Sequence, residues 1–279
     1  MKLEARQQTG ATQDPTKDPV LDYIEAYVVK EKVLKYRVNL LAGTTKQGTL
    51  ANAEQALHMV RVANYYLRQV GIRLEADMDT TTSDGANAVS GMPGYFTATV
   101  DDKMVDGVVA NGDLADQAAA INYRAKVVQI NFIGTLSGSK EAGDTVANPG
   151  NSKGKELSME YRITVDENPA NHTMKLLPAQ SVTGKTDLWG ILISNQAGDP
   201  KDAYDQSIFG NTIAHEIGHL LCLAHREPPA GDPIPDGLNK PHNENLMDTG
   251  LTDMPPFGPT AEDLDLIQLI AMRASKAFD

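Results

Sequence analysis

The amino-acid sequence predicts an α/β (α+β) fold in which helices pack on a mixed, twisted sheet, and three observations carry that prediction. Residues 34–41 are rich in β-branched and aromatic side chains, 52–69 repeat apolar residues at helical spacing, and 72–76 alternate again. A strand–helix–strand succession of this length builds a βαβ unit with parallel strands. Residues 127–133 and 188–194 are apolar runs of the length expected for buried strands. Two further helical segments, one opening near Asp205 or Ser207 and one over 260–274, supply layers to cover the sheet.

Taken in order, residues 1–19 are polar and contain Pro15 and Pro19, which reads as a flexible N-terminal segment ahead of one domain over 20–279. Residues 23–29 and 33–42 are strand-like, the second closed by Gly43. In the 52–69 helix, Ala53, Ala56, Leu57, Val60, Ala63, Leu67 (or Tyr66) and Val70 share one face, and Gly71 stops it. The stretch 77–125 is rich in Asp, Thr, Gly and Ala and yields only a strand over 95–100 and a short helix over 115–123. Residues 137–155 are rich in Gly, Ser and Asn and read as an exposed loop, while 161–165 and 173–177 are strand-like. The run LWGILIS at 188–194 is expected as a central strand just before a helix whose buried side is lined by Ile208, Ile213, Ile217 and Leu220. A Pro/Gly/Asn-rich stretch, 228–243, precedes the last helix, whose first turn carries Glu262 and Asp263, where the helix dipole favours acids.

Composition bounds the partners. With 279 residues, 41% hydrophobic, the chain is long enough for one large domain with a real core. One cysteine excludes an internal disulfide, so packing, with or without metals, must hold the fold. A net charge of −12 argues against nucleic acid and anionic membranes as partners. No apolar run approaches the roughly 18 residues of a bilayer span, and 1–19 lack the apolar core of a secretory signal. A monomer is the default expectation.

The chemistry concentrates in HEIGHLLCLAH at 215–225. His215 and His219 are four apart, so on a helix they project from one face and both imidazoles reach one ion, with Glu216 beside them. His225, six residues on, supplies a third ligand if the helix breaks between them. Three neutral imidazoles leave a tetrahedral Zn²⁺ one open position, the mark of a catalytic site. Glu244 competes as third ligand, but it sits in a loop-like segment, and His225 is preferred. His172 and His242 read as solvated loop residues. Asp199, Asp202 and Asp205 recur every three residues; they could hold Ca²⁺, but solvated turn and N-cap positions are the preferred reading.

This motif resembles that of the metzincin clan of zinc endopeptidases, HExxHxxGxxH followed by a Met-turn. Asn245-Leu246-Met247, with Met247 22 residues after His225, looks like the turn, and Cys222 stands where the clan has glycine. The resemblance is strong over roughly 205–250. It implies a metzincin-like zincin catalytic domain with an active-site helix and a C-terminal helix. An upper subdomain would run to about 225 and a lower one over 226–279, with the cleft between. It implies a secreted metalloendopeptidase that hydrolyses peptide bonds of a protein or peptide substrate. One catalytic Zn²⁺ on His215, His219 and His225 would activate water, Glu216 would be the general base, and Met247 an apolar, non-ligating floor. Substrate would add as a strand to a sheet edge near 173–179, where Leu176 and Leu177 precede Pro178. The specificity pocket would fall on 249–257, with Leu251, Met254 and Phe257 making it apolar. Thr249 stands where some relatives carry a metal- or oxyanion-contacting tyrosine. Cys222 reads as a buried turn residue, not a ligand. The alternative is a zinc-binding module of the same fold that no longer cleaves and acts by protein binding; a third is an enzyme acting on a non-protein amide. Glu216 favours the peptidase.

Overall fold

The computed structural model describes residues 2–6, 20–25, 29–83, 85–106, 121–134, 143–147, 155–158, 175–178, 189–221, 223, 246–247, 272–273, 275 and 278. By its internal contacts the chain divides into residues 1–31 and 32–279. In the first unit β1 (Lys2–Arg6) pairs antiparallel with β2 (Val20–Glu25), setting Lys2 opposite Glu25 and Leu3 opposite Ile24. The expected flexible segment over 1–19 therefore contains a strand, and the boundary follows Glu31. KLEAR alternates apolar and charged residues, a period of two that its overall polarity conceals.

The second unit is a mixed α/β arrangement built on a mostly parallel sheet. Its longest strand, β3 (Lys32–Gly43), runs into α1 (Ala53–Gln69) and then β4 (Ile72–Ala76). Asn52 starts the helix with a reciprocal capping box: its Oδ1 accepts the Gln55 amide at 3.0 Å, and Gln55 Oε1 accepts the Asn52 amide at 2.9 Å. Gly71, at φ +68°, ends it in the left-handed conformation that glycine adopts without a Cβ penalty. The remaining elements are β5 (Asn87–Ala88), β6 (Tyr95–Val100), α2 (Asp102–Asp106), β7 (Val128–Phe132), β8 (Gly143–Ala147), β9 (Lys155–Ser158), β10 (Lys175–Pro178), β11 (Trp189–Ile193) and α3 (Ala203–Leu220).

The main sheet runs β5-β6-β3-β7-β11-β8, with β4 also on β3. Because β3 is twelve residues long, its first half pairs with β4 and its second half with β6, both parallel. β7 and β11 extend the parallel set, and β8 closes the end antiparallel to β11. Two expectations change here. The stretch 137–155 is not simply loop, because it contains β8, whose short polar sequence GDTVA has no apolar run to announce it. The edge expected near 173–179 is not an edge of this sheet, because β10 pairs antiparallel with β9 in a separate two-stranded sheet. A short helix unforeseen in the sequence, α2, follows β6. Of the helix expected over 115–123, residues 121–123 are turn and coil, and the rest lies outside the described residues. The strand expected at 161–165 also lies outside them, and of the last helix only Met272 and Arg273 are described, both helical. Arg273 donates to the Val70 and Gly71 carbonyls at 3.2 and 3.0 Å, capping the C-terminus of α1.

The two faces of the sheet differ. Leu34, Tyr36, Val38 and Leu40 of β3, Val128, Ile130 and Phe132 of β7, and Trp189, Ile191 and Ile193 of β11 form one apolar core with α1 and α3. On the other face Leu41, Phe96, Ala98, Ile133 and Leu192 make a smaller core. Beside it Arg37, Asn39, Gln129 and Asn131 are all buried. The register sets Arg37 opposite Gln129 and Asn39 opposite Asn131.

Candidate metal centre

The helix that carries the histidines is fixed at both ends before any ligand is considered. Asp202 Oδ1 accepts the Asp205 amide at 3.2 Å, three residues on, so the N-cap is Asp202, not Asp205 or Ser207. Asp205 Oδ2 in turn accepts the Asp199 amide at 2.7 Å, and Asp199 Oδ1 accepts that of Lys201 at 2.9 Å. The three carboxylates thus serve as turn and cap acceptors, the reading that needs no Ca²⁺. The helix lies tight against α1, where a Cβ on Gly210 would fall 2.5 Å from Val62 Cβ and Cγ1. Ile213, Ile217 and Leu220 are buried as expected, but Phe209, 6.5 Å from Phe132 between ring centroids, takes the core place assigned to Ile208, which is only half-buried.

At the C-terminal end the Leu223 amide donates to the Gly218 carbonyl at 2.9 Å, a bond that folds the chain back on the end of the helix. That return brings the Leu223 carbonyl to within 2.7 Å of His219 Nδ1. From a distant part of the chain the Leu246 carbonyl lies 2.5 Å from His215 Nδ1. A carbonyl oxygen only accepts, so each Nδ1 carries a proton, and a neutral ring of that tautomer presents its lone pair at Nε2. These two Nε2 atoms face each other at 3.0 Å, with the rings edge to face at 84°.

Two lone pairs at that separation repel unless a cation lies between them. Two imidazole nitrogens at ~2.0–2.1 Å from one Zn²⁺ stand about 3.0–3.4 Å apart at ordinary coordination angles, so the pair fits that ion. A metal-bound histidine commonly donates its other N–H to a backbone carbonyl, as both do here. His215 and Glu216 are buried, and His219 is partly exposed.

Met247, the expected floor residue, is fully buried. It packs directly against α3 at Gly218: a Cβ on that glycine would overlap Met247 Sδ and lie 3.2 Å from its Cε. His215, Glu216, His219 and Met247 are therefore brought together. His225, Cys222, Glu244, Asn245, His172, His242 and 249–257 lie outside the described residues. Among the described residues no third ligand-type side chain joins the histidine pair. Sequence reasoning missed Gly218, Leu223 and Leu246. The last two act through backbone oxygens, which leave no residue-type signal, whereas a glycine inside a helix was a visible one.

No protein-family model matches the chain, and no curated protein matches it significantly. Among the described residues no helix is long and apolar enough to cross a membrane.

Proposed function

We propose that the chain is a zinc-dependent endopeptidase of metzincin type, in which His215, His219 and His225 hold one Zn²⁺ and Glu216 is the general base. The observation that carries this reading is the histidine pair itself: both Nδ1 protons are committed to backbone carbonyls, and both Nε2 lone pairs converge at 3.0 Å. When bound, Zn²⁺ supplies Lewis acidity and lowers the pKa of a coordinated water to about 7. The Leu223 and Leu246 carbonyls fix the tautomer and orientation of the two rings, so neither reorients as charge develops. Glu216, next to His215 on the helix, accepts the proton of the attacking water and returns it to the leaving amine. Met247 and Leu246 exclude solvent beneath the pair. Strand addition of a peptide falls to β8, which ends the main sheet beside β11 just before the active-site helix.

The test is digestion of a complex peptide mixture by the full chain, with and without a zinc chelator, alongside Glu216→Ala. The expected result is chelator-sensitive cleavage that Zn²⁺ restores, reduced about 10²–10⁴-fold in Glu216→Ala with the metal retained. A chain that binds Zn²⁺ yet shows no chelator-sensitive cleavage is instead the silent binding module.

A further inference from the structure

The motif leaves position 218 unspecified, and the structure does not. The place where a Gly218 Cβ would stand is filled by Met247 Sδ and Cε, with Leu223 Cδ1 3.7 Å away. The Gly218 carbonyl also accepts the Leu223 amide at 2.9 Å. Leu223 and the residue preceding Met247, Leu246, are the two whose carbonyls take the Nδ1 protons of His219 and His215. Both backbone supports of the histidine pair therefore converge on one residue of the helix they orient.

We infer that Gly218 is a positioning residue for both imidazoles. Its missing side chain lets Met247 sit against α3, and that seat holds the Leu246 carbonyl on His215 while the bond from the Leu223 amide to the Gly218 carbonyl holds the Leu223 carbonyl on His219. One added methyl group overlaps the end of the Met247 side chain, which is fully buried and so has no solvent to swing into. Re-seating that side chain displaces the turn that carries the Leu246 carbonyl, taking it off His215 Nδ1 and freeing that ring to change tautomer. The glycine thus acts through the two carbonyls and touches neither metal nor substrate. The inference rests on the metal-site reading above only for its zinc consequence; its effect on the rings belongs to the metal-free protein.

Two readouts on the full chain separate these parts: histidine tautomers in metal-free protein by ¹⁵N-detected ring correlations, and Zn²⁺ affinity by competition with a chromophoric chelator. The unmodified chain should show both histidines protonated at Nδ1. Gly218→Ala should lose that state at His215 and bind Zn²⁺ about 10–100-fold more weakly, the usual cost of disturbing an outer-shell partner. On a Met247→Ala background, which opens the space, the same substitution should leave tautomer and affinity within threefold of Met247→Ala alone. That comparison holds even if Gly218→Ala by itself does not fold. Unchanged tautomers and affinity in Gly218→Ala, or an equal loss on the Met247→Ala background, would overturn the inference. If the unmodified chain binds no Zn²⁺ while Gly218→Ala still shifts the tautomer, the positioning role stands and the zinc reading falls.

Discussion

Two clusters of polar side chains lie on opposite sides of the main sheet, one on its strands and one on α3, and their hydrogen bonds are arranged differently. On the face away from α1 and α3, Arg37 donates through Nε to Asp77 Oδ2 at 2.8 Å, through Nη1 to Thr81 O and Asn122 Oδ1, and through Nη2 to Asp79 O. Asn39 Nδ2 donates to Asn131 Oδ1 at 2.9 Å, and Asn122 Nδ2 returns a bond to Asn39 Oδ1 at 3.2 Å. The guanidinium also lies 4.9 Å from the Phe96 ring centroid. Charge meets charge and donor meets acceptor within the chain, as a buried network requires. On the helix side the two histidines spend their N–H groups on carbonyls and aim their lone pairs at each other. In the first cluster charge is paired with charge among the described residues. In the second, two imidazole Nε2 atoms face each other at 3.0 Å, the arrangement on which the proposed metal site rests.

The largest effect that tests this contrast is on the closed cluster. Arg37→Met leaves Asp77, itself buried, with the half-exposed Arg124 at 3.2 Å as its remaining cationic partner among the described residues. Breaking a buried pair from one side costs about 3–5 kcal/mol. Chemical denaturation should show that loss equally with and without Zn²⁺. His219→Ala should behave oppositely: little change in metal-free stability, and loss of the roughly 2.7 kcal/mol that free Zn²⁺ at 100 times Kd contributes to the unmodified chain. If the Arg37 variant loses its zinc increment, or the His219 variant keeps it, the two clusters are not independent and the comparison breaks.

A smaller effect sharpens the rim of the closed cluster. Asp79 accepts hydrogen bonds from the Thr81 hydroxyl and, at 2.8 Å, from the Thr81 amide, and is paired with Arg124; these bonds hold its carboxyl well below the usual carboxylate range. A carboxyl depressed on folding stabilises above its unfolded pKa of about 3.9 and loses that contribution as pH falls through its folded value. Denaturation midpoints should therefore fall less steeply below pH 4 for Asp79→Asn than for the unmodified chain. The difference is slight because the pair is solvent-screened. Identical acid limbs would show that Asp79 plays no part in holding the rim.

Much of the fold was legible because it is written in periodicity. The amphipathic helix at Ala53–Gln69, the strand at Tyr95–Val100, and the apolar runs at Val128–Phe132 and Trp189–Ile193 all carry local signals that the structure keeps. What was not legible is decided by tertiary partners. In KYRVNL, Arg37 and Asn39 alternate with apolar residues and carry no local signal of burial, yet both are buried because Asp77, Asn122 and the Thr81 and Ile121 carbonyls close over them. β8 is a strand because β11 offers it a ladder, not because GDTVA prefers one. The site divides in the same way. Spacing singled out His215, Glu216 and His219, and the NLM sequence singled out Met247, but the Leu223 and Leu246 carbonyls that face the two Nδ1 atoms appear only when the chain folds back.

The zinc absorption-edge fine structure of the full chain loaded with one equivalent of metal tests the central claim most directly. The account predicts a nitrogen shell at ~2.0–2.1 Å with the outer scattering of imidazole rings, no sulfur, and loss of that signal in His215→Ala. A sulfur shell at ~2.3 Å, which would bring Cys222 into the coordination sphere, or an unchanged spectrum in His215→Ala, would contradict it.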